Sequence, residues 1–471
     1  MSRTLAIVGV TLLASMPSLQ AARALEIPPN TWIQQPPPTV SLLPGRTGEF
    51  SGRGWNKMHY DAVTGKMILF DGYAELPVYP YENILANSIW SYDPMENRLS
   101  LEKVGNWTFG EDGSHPLPEN ESDPTPFDRH VYSCSAYSAS MNRFYMWAGA
   151  NRTMQVDTAE VWTYDLGARA WRQIMTEAPY NIFEQACSYD PFLEKVVLFS
   201  GAERPYGLGD KTWVFDLATE TWTNSDTYPA PTPRMGQAMC FDLARGITWM
   251  FSGADWGSAG NELWHYAIAS NQWTQITSTP PWPPARRFPN LAYDANHDLI
   301  LMWGGINASD QPLEDTWLFH PSNQTWEEVA PVANPTGRLK YYSEDLEYDP
   351  VNDVFVLNLG GVFWLYRPLT ITSAPSDGAS SAAMFRITSR NPGPDGATLE
   401  FSLPRTSTIR IDVFDLAGHR IKTLANGSFG PGTHVVRWAG QSSSGSMASG
   451  LYLARLVLPH GVLTRKIILV R

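Results

Sequence analysis

The stretch CSYDPFLEKVVLFSGAERPYGLGDKTWVFDLATETWTNS, residues 187–225, divides into four strand-sized pieces. The first ends in Tyr189-Asp190, the second is an apolar run into Gly201, the third carries Trp213 and Phe215, and the fourth carries Trp222. Short β-branched and aromatic runs bounded by Asp, Gly and Pro signal strands, because such side chains pack on a pleated surface while the bounding residues favour turns. The unit returns as MCFDLARGITWMFSGADWGSAGNELWHYAIASNQWTQI at 239–276 and as LAYDANHDLILMWGGINASDQPLEDTWLFHPSNQTWEEV at 291–329. Its marker glycines are Gly72, Gly149, Gly201, Gly253, Gly305 and Gly361, separated by 77, 52, 52, 52 and 56 residues. An aromatic stands twelve residues before the first five (Tyr60, Tyr137, Tyr189, Phe241, Tyr293), and Tyr348 stands thirteen before the sixth. A period of this length marks a repeat architecture in which each copy is one supersecondary unit.

Each of the six units has a first Trp, at 90, 162, 213, 264, 317 and 364. A second follows nine residues later at Trp171, Trp222, Trp273 and Trp326, with Leu99 in that place in the first unit and nothing comparable in the sixth. The N-terminal TWIQQ, 31–35, is a spare strand that supplies the missing Trp as Trp32. The chain is therefore expected to open with the last strand of its final unit, pairing with the Trp364 strand. Closing a ring of sheets this way removes the open edge that invites aggregation.

These units resemble the Kelch family of propellers, whose repeats carry a Gly-Gly after the second strand and Trp in the outer strands. The doublet stands complete in WGG 303–305 and LGG 359–361, while FDG, WAG and the two FSG segments keep one glycine. The resemblance covers about residues 30–367. It implies an all-β fold: a six-bladed Kelch-type β-propeller closed by an N-terminal strand, with binding on the face where strand two joins strand three and strand four joins the next blade.

Around that repeat the chain organises into four segments. Residues 1–24 read as a secretory signal, with Arg3, an apolar run from Leu5 to Ala14 and an A-x-A site at 22–24. The propeller occupies 25–367, and PLTITSAPSDGASSAAM at 368–384 is a linker. Residues 385–471 alternate in short strands, as a small immunoglobulin-like β-sandwich does. Its pieces NPGPDGATLEFSLP, VFDLAGHRIKTL, GTHVVRWAG, SGLYLARL and RKIILVR resemble the C-terminal module of exported bacterial proteins, related to the flagellar hook-capping immunoglobulin-like domain and to type IX secretion sorting domains. That resemblance implies outer-membrane export or surface attachment, and hence a secreted or outer-membrane-surface location in a Gram-negative-type bacterium. No other segment is apolar enough to span a membrane.

Net charge is −13 overall, yet residues 381–471 carry +7, which leaves −20 for the rest. An acidic propeller excludes nucleic acid as its partner, because phosphate neutralisation needs a basic surface. Of the 19 Trp, eleven fill the two repeat positions and read as blade packing. Trp107, Trp256 and Trp282 lie in loops and are candidate ligand contacts. Arg53, Arg234 and Arg286 each stand seven residues before the repeat aromatic, with Arg129 eight and Arg338 ten before it. Arginines ringed on one face would suit a carboxylate or acidic peptide through bidentate pairing; the structural alternative is a guanidinium bonding a neighbouring blade's carbonyls.

Asp93, Asp165, Asp190, Asp216, Asp242, Asp294 and Asp349 all begin turns, where the side chain caps its own backbone, and no D-x-D-x-D run points to calcium. Cys134, Cys187 and Cys240 fall three, two and one residues before the repeat aromatic, so Cys187 faces away from the other two, and all three read as buried thiols. H-E-x-x-H, G-x-S-x-G and zinc-spaced cysteine pairs are absent, and neither a metal nor a cofactor is expected.

The leading expectation is a binding protein whose loop face takes a carbohydrate or a protein, exported or attached through its C-terminal module. A second is a sugar-active enzyme resembling the six-bladed Kelch propellers that interconvert sialic acid anomers, drawing on the five arginines with Glu75, Glu203 or Glu262. A third is a structural adhesion protein.

Overall fold

The structure is a computed structural model that describes residues 27–43, 57–61, 64–71, 88–103, 107–108, 117–118, 126, 134–147, 150–151, 156–157, 159–176, 182–203, 207–255, 258–277, 280–336, 344–368, 384–389, 393–403, 406–415, 420–442, 445–458 and 461–470. The signal at 1–24 and almost all of the linker lie outside them. Every described element is β-strand or turn, and no helix among the described residues is long and apolar enough to cross a membrane.

A strand β1 (Thr31–Gln34) precedes six antiparallel units whose first strands are β2 (Met58–Asp61), β3 (Ser135–Ser138), β4 (Ala186–Asp190), β5 (Ala238–Asp242), β6 (Asn290–Asp294) and β7 (Glu344–Asp349). In units two to five, four strands pair in chain order. The first unit gains an outer strand, Thr39–Ser41, parallel to Arg98–Lys103. The sixth has three strands of its own, ending in β8 (Val362–Arg367), and β1 completes it with Trp32 opposite Tyr366 and Gln34 opposite Trp364. Trp32 does there what a second Trp does elsewhere. Its indole N–H donates to Thr316 Oγ1 of the preceding unit at 3.1 Å, as Trp273 donates to Thr212 Oγ1 at 2.9 Å.

The first strands contact one another in the order β2, β3, β4, β5, β6, β7 and back to β2, so they surround a central channel. The apolar core is accordingly split into seams between neighbouring units. Phe70 and Trp171 meet between units one and two, Trp147 and Phe215 between two and three, and Phe199 and Trp273 between three and four. Trp249 and Phe319 meet between four and five, Trp303 and Leu357 between five and six, and Trp90 and Val356 between six and one. Nine of the eleven repeat Trp are buried, with Trp213 and Trp222 half-buried. Cys134 and Cys187 enter one seam from opposite sides and Cys240 enters another; none of the three is in a disulfide, and burial pushes the thiols of Cys134 and Cys240 well up.

Turns at one end of the channel follow one recipe. Each of the seven aspartates accepts backbone N–H groups two or three residues on. The residue that ends the turn takes positive φ, as at Asn142, Glu194, Asp298 and Asp353. Its side chain accepts the hydroxyl of the Tyr five residues earlier, in Tyr137, Tyr189, Tyr293 and Tyr348. We refer to this end as the turn face and to the opposite end as the loop face.

The C-terminal module has a three-stranded sheet of β9 (Met384–Ile387), β10 (Ala397–Leu403) and β13 (Gly432–Trp438). Its four-stranded partner holds β11 (Ser407–Phe414), β12 (Arg420–Phe429), β14 (Gly450–Leu458) and β15 (Gly461–Leu469). β10 alternates buried and half-buried residues along its length, and Phe401, Ile411, Trp438 and Leu456 share one core between the sheets. Arg455 of β14 reaches the turn face, where its Nη2 donates to the Ala244 carbonyl at 2.9 Å and its guanidinium lies 5.5 Å from the Phe192 ring centre.

Candidate functional site

At the loop face, each described arginine of the series belongs to a four-part set. Arg234 precedes β5, and its aliphatic stem runs along the marker glycine of the same unit. A Cβ on Gly253 would lie 3.1 Å from Arg234 Cδ, and φ there is +98°, so glycine is required twice over. The guanidinium donates to the Ser252 carbonyl (3.1 Å), the Thr232 carbonyl (2.9 Å), Thr232 Oγ1 (2.9 Å) and Glu262 Oε2 (2.5 Å). Trp264 completes the set by donating its indole N–H to the same carboxylate oxygen at 3.3 Å.

Arg286 repeats the arrangement one unit on. It lies against Gly305 (φ +104°), donates to the Gly304 carbonyl at 2.7 Å, and forms a two-pronged pair with both oxygens of Asp315 at 2.7 Å. Trp317 donates to Asp315 Oδ2 at 2.7 Å. Burial opposes ionisation of Asp315 and Glu262, but the facing guanidinium and the indole N–H outweigh it and hold both carboxyls below their ordinary range. In the second unit Trp162 donates to Glu160 in the same way.

The arginine backbones tie the units together. Ser200 of FSG donates to the Arg234 carbonyl at 2.6 Å, and Ser252 donates to the Arg286 carbonyl. This is why serine replaces the first glycine of the doublet in these units. Ser200 and Ser252 sit at φ +56° and +71°, a conformation glycine adopts freely, and the hydrogen bond to the next unit offsets the strain.

These contacts correct the reading of two arginines as ligand groups. Arg234 and Arg286 are 4% and 0% exposed, and their forks are filled by their own units, so neither offers a guanidinium to a ligand. The alternative of bonding a neighbouring blade's carbonyls is also corrected, since the carbonyl partners lie within the arginine's own unit. Trp282 is half-buried; it donates to the Asn261 carbonyl at 2.6 Å and meets Trp326 edge-on. Trp107 lies on a two-residue strand, Trp107–Thr108, paired with Leu117–Pro118, and Glu203 lies on Ala202–Glu203. Arg53, Arg129, Arg338, Trp256 and Glu75 fall outside the described residues. Sequence reasoning saw the arginine spacing but not its direction. Two further regularities point inward: Arg53, Arg234 and Arg286 stand nineteen residues before a marker glycine, and Glu160, Glu262 and Asp315 stand two before a first Trp.

Among the described residues, the loop face also exposes large apolar side chains. Met175, Tyr228 and Val332 are 90%, 92% and 86% exposed. Each lies just past the fourth strand of its unit, after Ala170–Ile174, Thr221–Asn224 and Thr325–Val329.

On the turn face, Asp294, His297 and Asp353 bring possible metal ligands within 4.8 Å of one another. Their atoms already serve one another: His297 Nδ1 bonds Asp294 Oδ2 at 2.6 Å, Asp294 Oδ1 caps its turn, and Asp353 accepts the Tyr348 hydroxyl. The hydrogen bond to Asp294 raises the His297 pKa.

Against this geometry, residues 132–346 match the KLHDC2/KLHL20/DRC7 Kelch-repeats domain. This stretch is a Kelch-repeat domain. Similar proteins include the Rab9 effector protein with kelch motifs of Xenopus laevis, 25% identical over 169 residues, 34% of this chain and 45% of that protein. Kelch domain-containing protein 2 of Bos taurus is 24% identical over 129 residues, 27% of this chain and 31% of that protein. Multiple epidermal growth factor-like domains protein 8 of Homo sapiens is 33% identical over 115 residues, 24% of this chain and 4% of that protein. The chain spans less than half the length of the curated relatives it matches. Kelch propellers are in general protein-binding scaffolds.

Proposed function

We propose that the six units form one closed six-bladed propeller that works outside the cell as a protein-binding scaffold, gripping its partner at the loop face. The single observation that carries this reading is the set of apolar side chains, Met175, Tyr228 and Val332, held almost fully exposed in the loops that follow the fourth strands of their units. Covering such side chains with a partner removes apolar surface from water, which is favourable. A protein suits that surface better than a carbohydrate, because the forks of Arg234 and Arg286 are occupied and Trp282 is packed edge-on against Trp326. Secretion, and attachment through the C-terminal module, rest on the signal-like N-terminus and the resemblance of residues 385–471 to sorting modules.

The test compares the full chain with a Met175→Ser, Tyr228→Ser, Val332→Ser variant in cross-linking to surface proteins of the source cells, with a glycan array alongside. The reading expects protein partners that disappear with the triple variant while the melting temperature holds. Partners retained by the variant, or saturable binding to glycans alone, would overturn it.

A further inference from the structure

Toward the turn face the channel widens into a cavity of about 430 Å³, within the size range of small-molecule sites. The six repeat aromatics, Tyr60, Tyr137, Tyr189, Phe241, Tyr293 and Tyr348, belt its wall. Lys57, His59 and Glu347 line it, and Phe414, Leu453 and Arg455 of the C-terminal module close its floor.

On β7, Leu346 and Tyr348 pack into the seam with the fifth unit, so Asp345 and Glu347 share the opposite side of the strand. Asp345 is 5% exposed and its Oδ2 has no hydrogen-bond partner among the described residues. Lys57 acts on both carboxyls through space but forms no ion pair with either. His59 adds no charge: burial, and then Lys57, depress its pKa, and its Nε2 is 2.8 Å from Ser135 Oγ. Two carboxyls thus face one ammonium. Burial pushes Asp345 well up and Glu347 up to about 7 against the pull of Lys57. Among the described residues, Cys240, whose thiol burial pushes up, Arg455 and Asp415 of the module and the tyrosines of the belt are the other ionisable groups around the cavity.

We propose that this chamber binds a small organic cation, an ammonium group carried on an apolar body no larger than one ring with a short chain. The ammonium donates to the carboxylate of Glu347, which lines the chamber and forms no ion pair among the described residues. The apolar body lies in the aromatic belt, whose ring faces attract cations. The chain already sets one cation against an aromatic at this site, the Arg455 guanidinium over Phe192. The proposal is independent of the loop-face reading, since it concerns the other end of the channel.

A bound cation favours ionised carboxyls, so binding expels protons and tightens as pH rises through the range where Glu347 titrates. The experiment is calorimetric titration of the full chain with phenethylammonium at pH 6 and pH 8, in buffers of two ionisation enthalpies. 3-Phenylpropionate and 2-phenylethanol serve as the anionic and neutral arms. Saturable binding of phenethylammonium alone, roughly tenfold tighter at pH 8 than at pH 6 with proton release, is the expected result. Glu347→Gln should remove most of the pH dependence and weaken binding about tenfold or more; its melting temperature reports whether it folds. Equal or tighter binding of either other probe, pH-independent binding, or no heat from the folded wild-type chain at about 10 mM phenethylammonium overturns the proposal.

Discussion

At the loop face, Arg286 is fully buried and each prong of its guanidinium meets an oxygen of Asp315, while Arg234 is held by Glu262, Thr232 and Ser252. On β7, Asp345 is buried but its Oδ2 has no hydrogen-bond partner among the described residues, and Lys57 acts on two carboxyls without pairing to either. The same propeller therefore holds one set of charges that is electrostatically complete and another that is not. The difference lies in pKa direction. Guanidinium contacts hold Asp315 and Glu262 down, whereas burial holds Asp345 and Glu347 up. A complete set is architecture, and an incomplete one is where a ligand has something to add.

The largest effect should come from breaking the complete set. Arg286→Ala leaves Asp315 and the Gly304 carbonyl without their partner, at a cost of about 3–5 kcal/mol, read as a lower urea midpoint. Unchanged stability with altered ligand binding would instead return Arg286 to the ligand-binding role its spacing first suggested.

The channel acids come next, through pH. A carboxyl whose folded pKa is raised contributes stability that is fully present below its unfolded pKa and is lost as pH rises through the folded one. For Glu347 the window runs from about 4.5 to about 7, and its span is worth at most about 3 kcal/mol. Melting temperature should fall between pH 5 and pH 7.5, and Glu347→Gln should flatten that slope. A wild-type profile flat across this range would remove the asymmetry between the two regions.

Glu262 gives the opposite sign on a smaller scale. Its depressed pKa contributes stability above the unfolded value that is lost as pH falls through the folded one, so acidification below about pH 4.5 should weaken the loop face. With its side chain 40% exposed, Glu262→Gln should cost no more than about 1 kcal/mol.

The smallest effect belongs to the rim of the chamber. Arg455→Gln removes one hydrogen bond to the Ala244 carbonyl, worth about 1 kcal/mol or less. It should show as faster amide hydrogen exchange at 243–246 with little change in melting temperature.

Most of the architecture was legible because it is periodic. Marker glycines and paired Trp fixed the four-strand unit, the missing second Trp of the sixth unit pointed to Trp32, and the aspartates announced their turns. Arg234 and Arg286 were misread because their spacing locates a residue along the repeat without saying which way it points; only the glycine and acid partners in the same unit reveal that. Met175, Tyr228 and Val332 sit in loops, where the repeat imposes no pattern. The chamber was hidden for another reason. Its ionisable pairs stand three and one residues before the repeat aromatic in two units only, as Lys57 and His59 in the first and Asp345 and Glu347 in the sixth, which lie at opposite ends of the repeat array.

The pairing of β1 with β8 has a consequence for how the molecule is made. The strand that leaves the ribosome first among these elements cannot find its partner until more than three hundred residues have followed it, so ring closure is a late, long-range event. β2 and β7 become neighbours in the closed ring. The chamber's charges therefore assemble only in a finished molecule, and a half-built chain carries Lys57 and His59 with nothing to answer them.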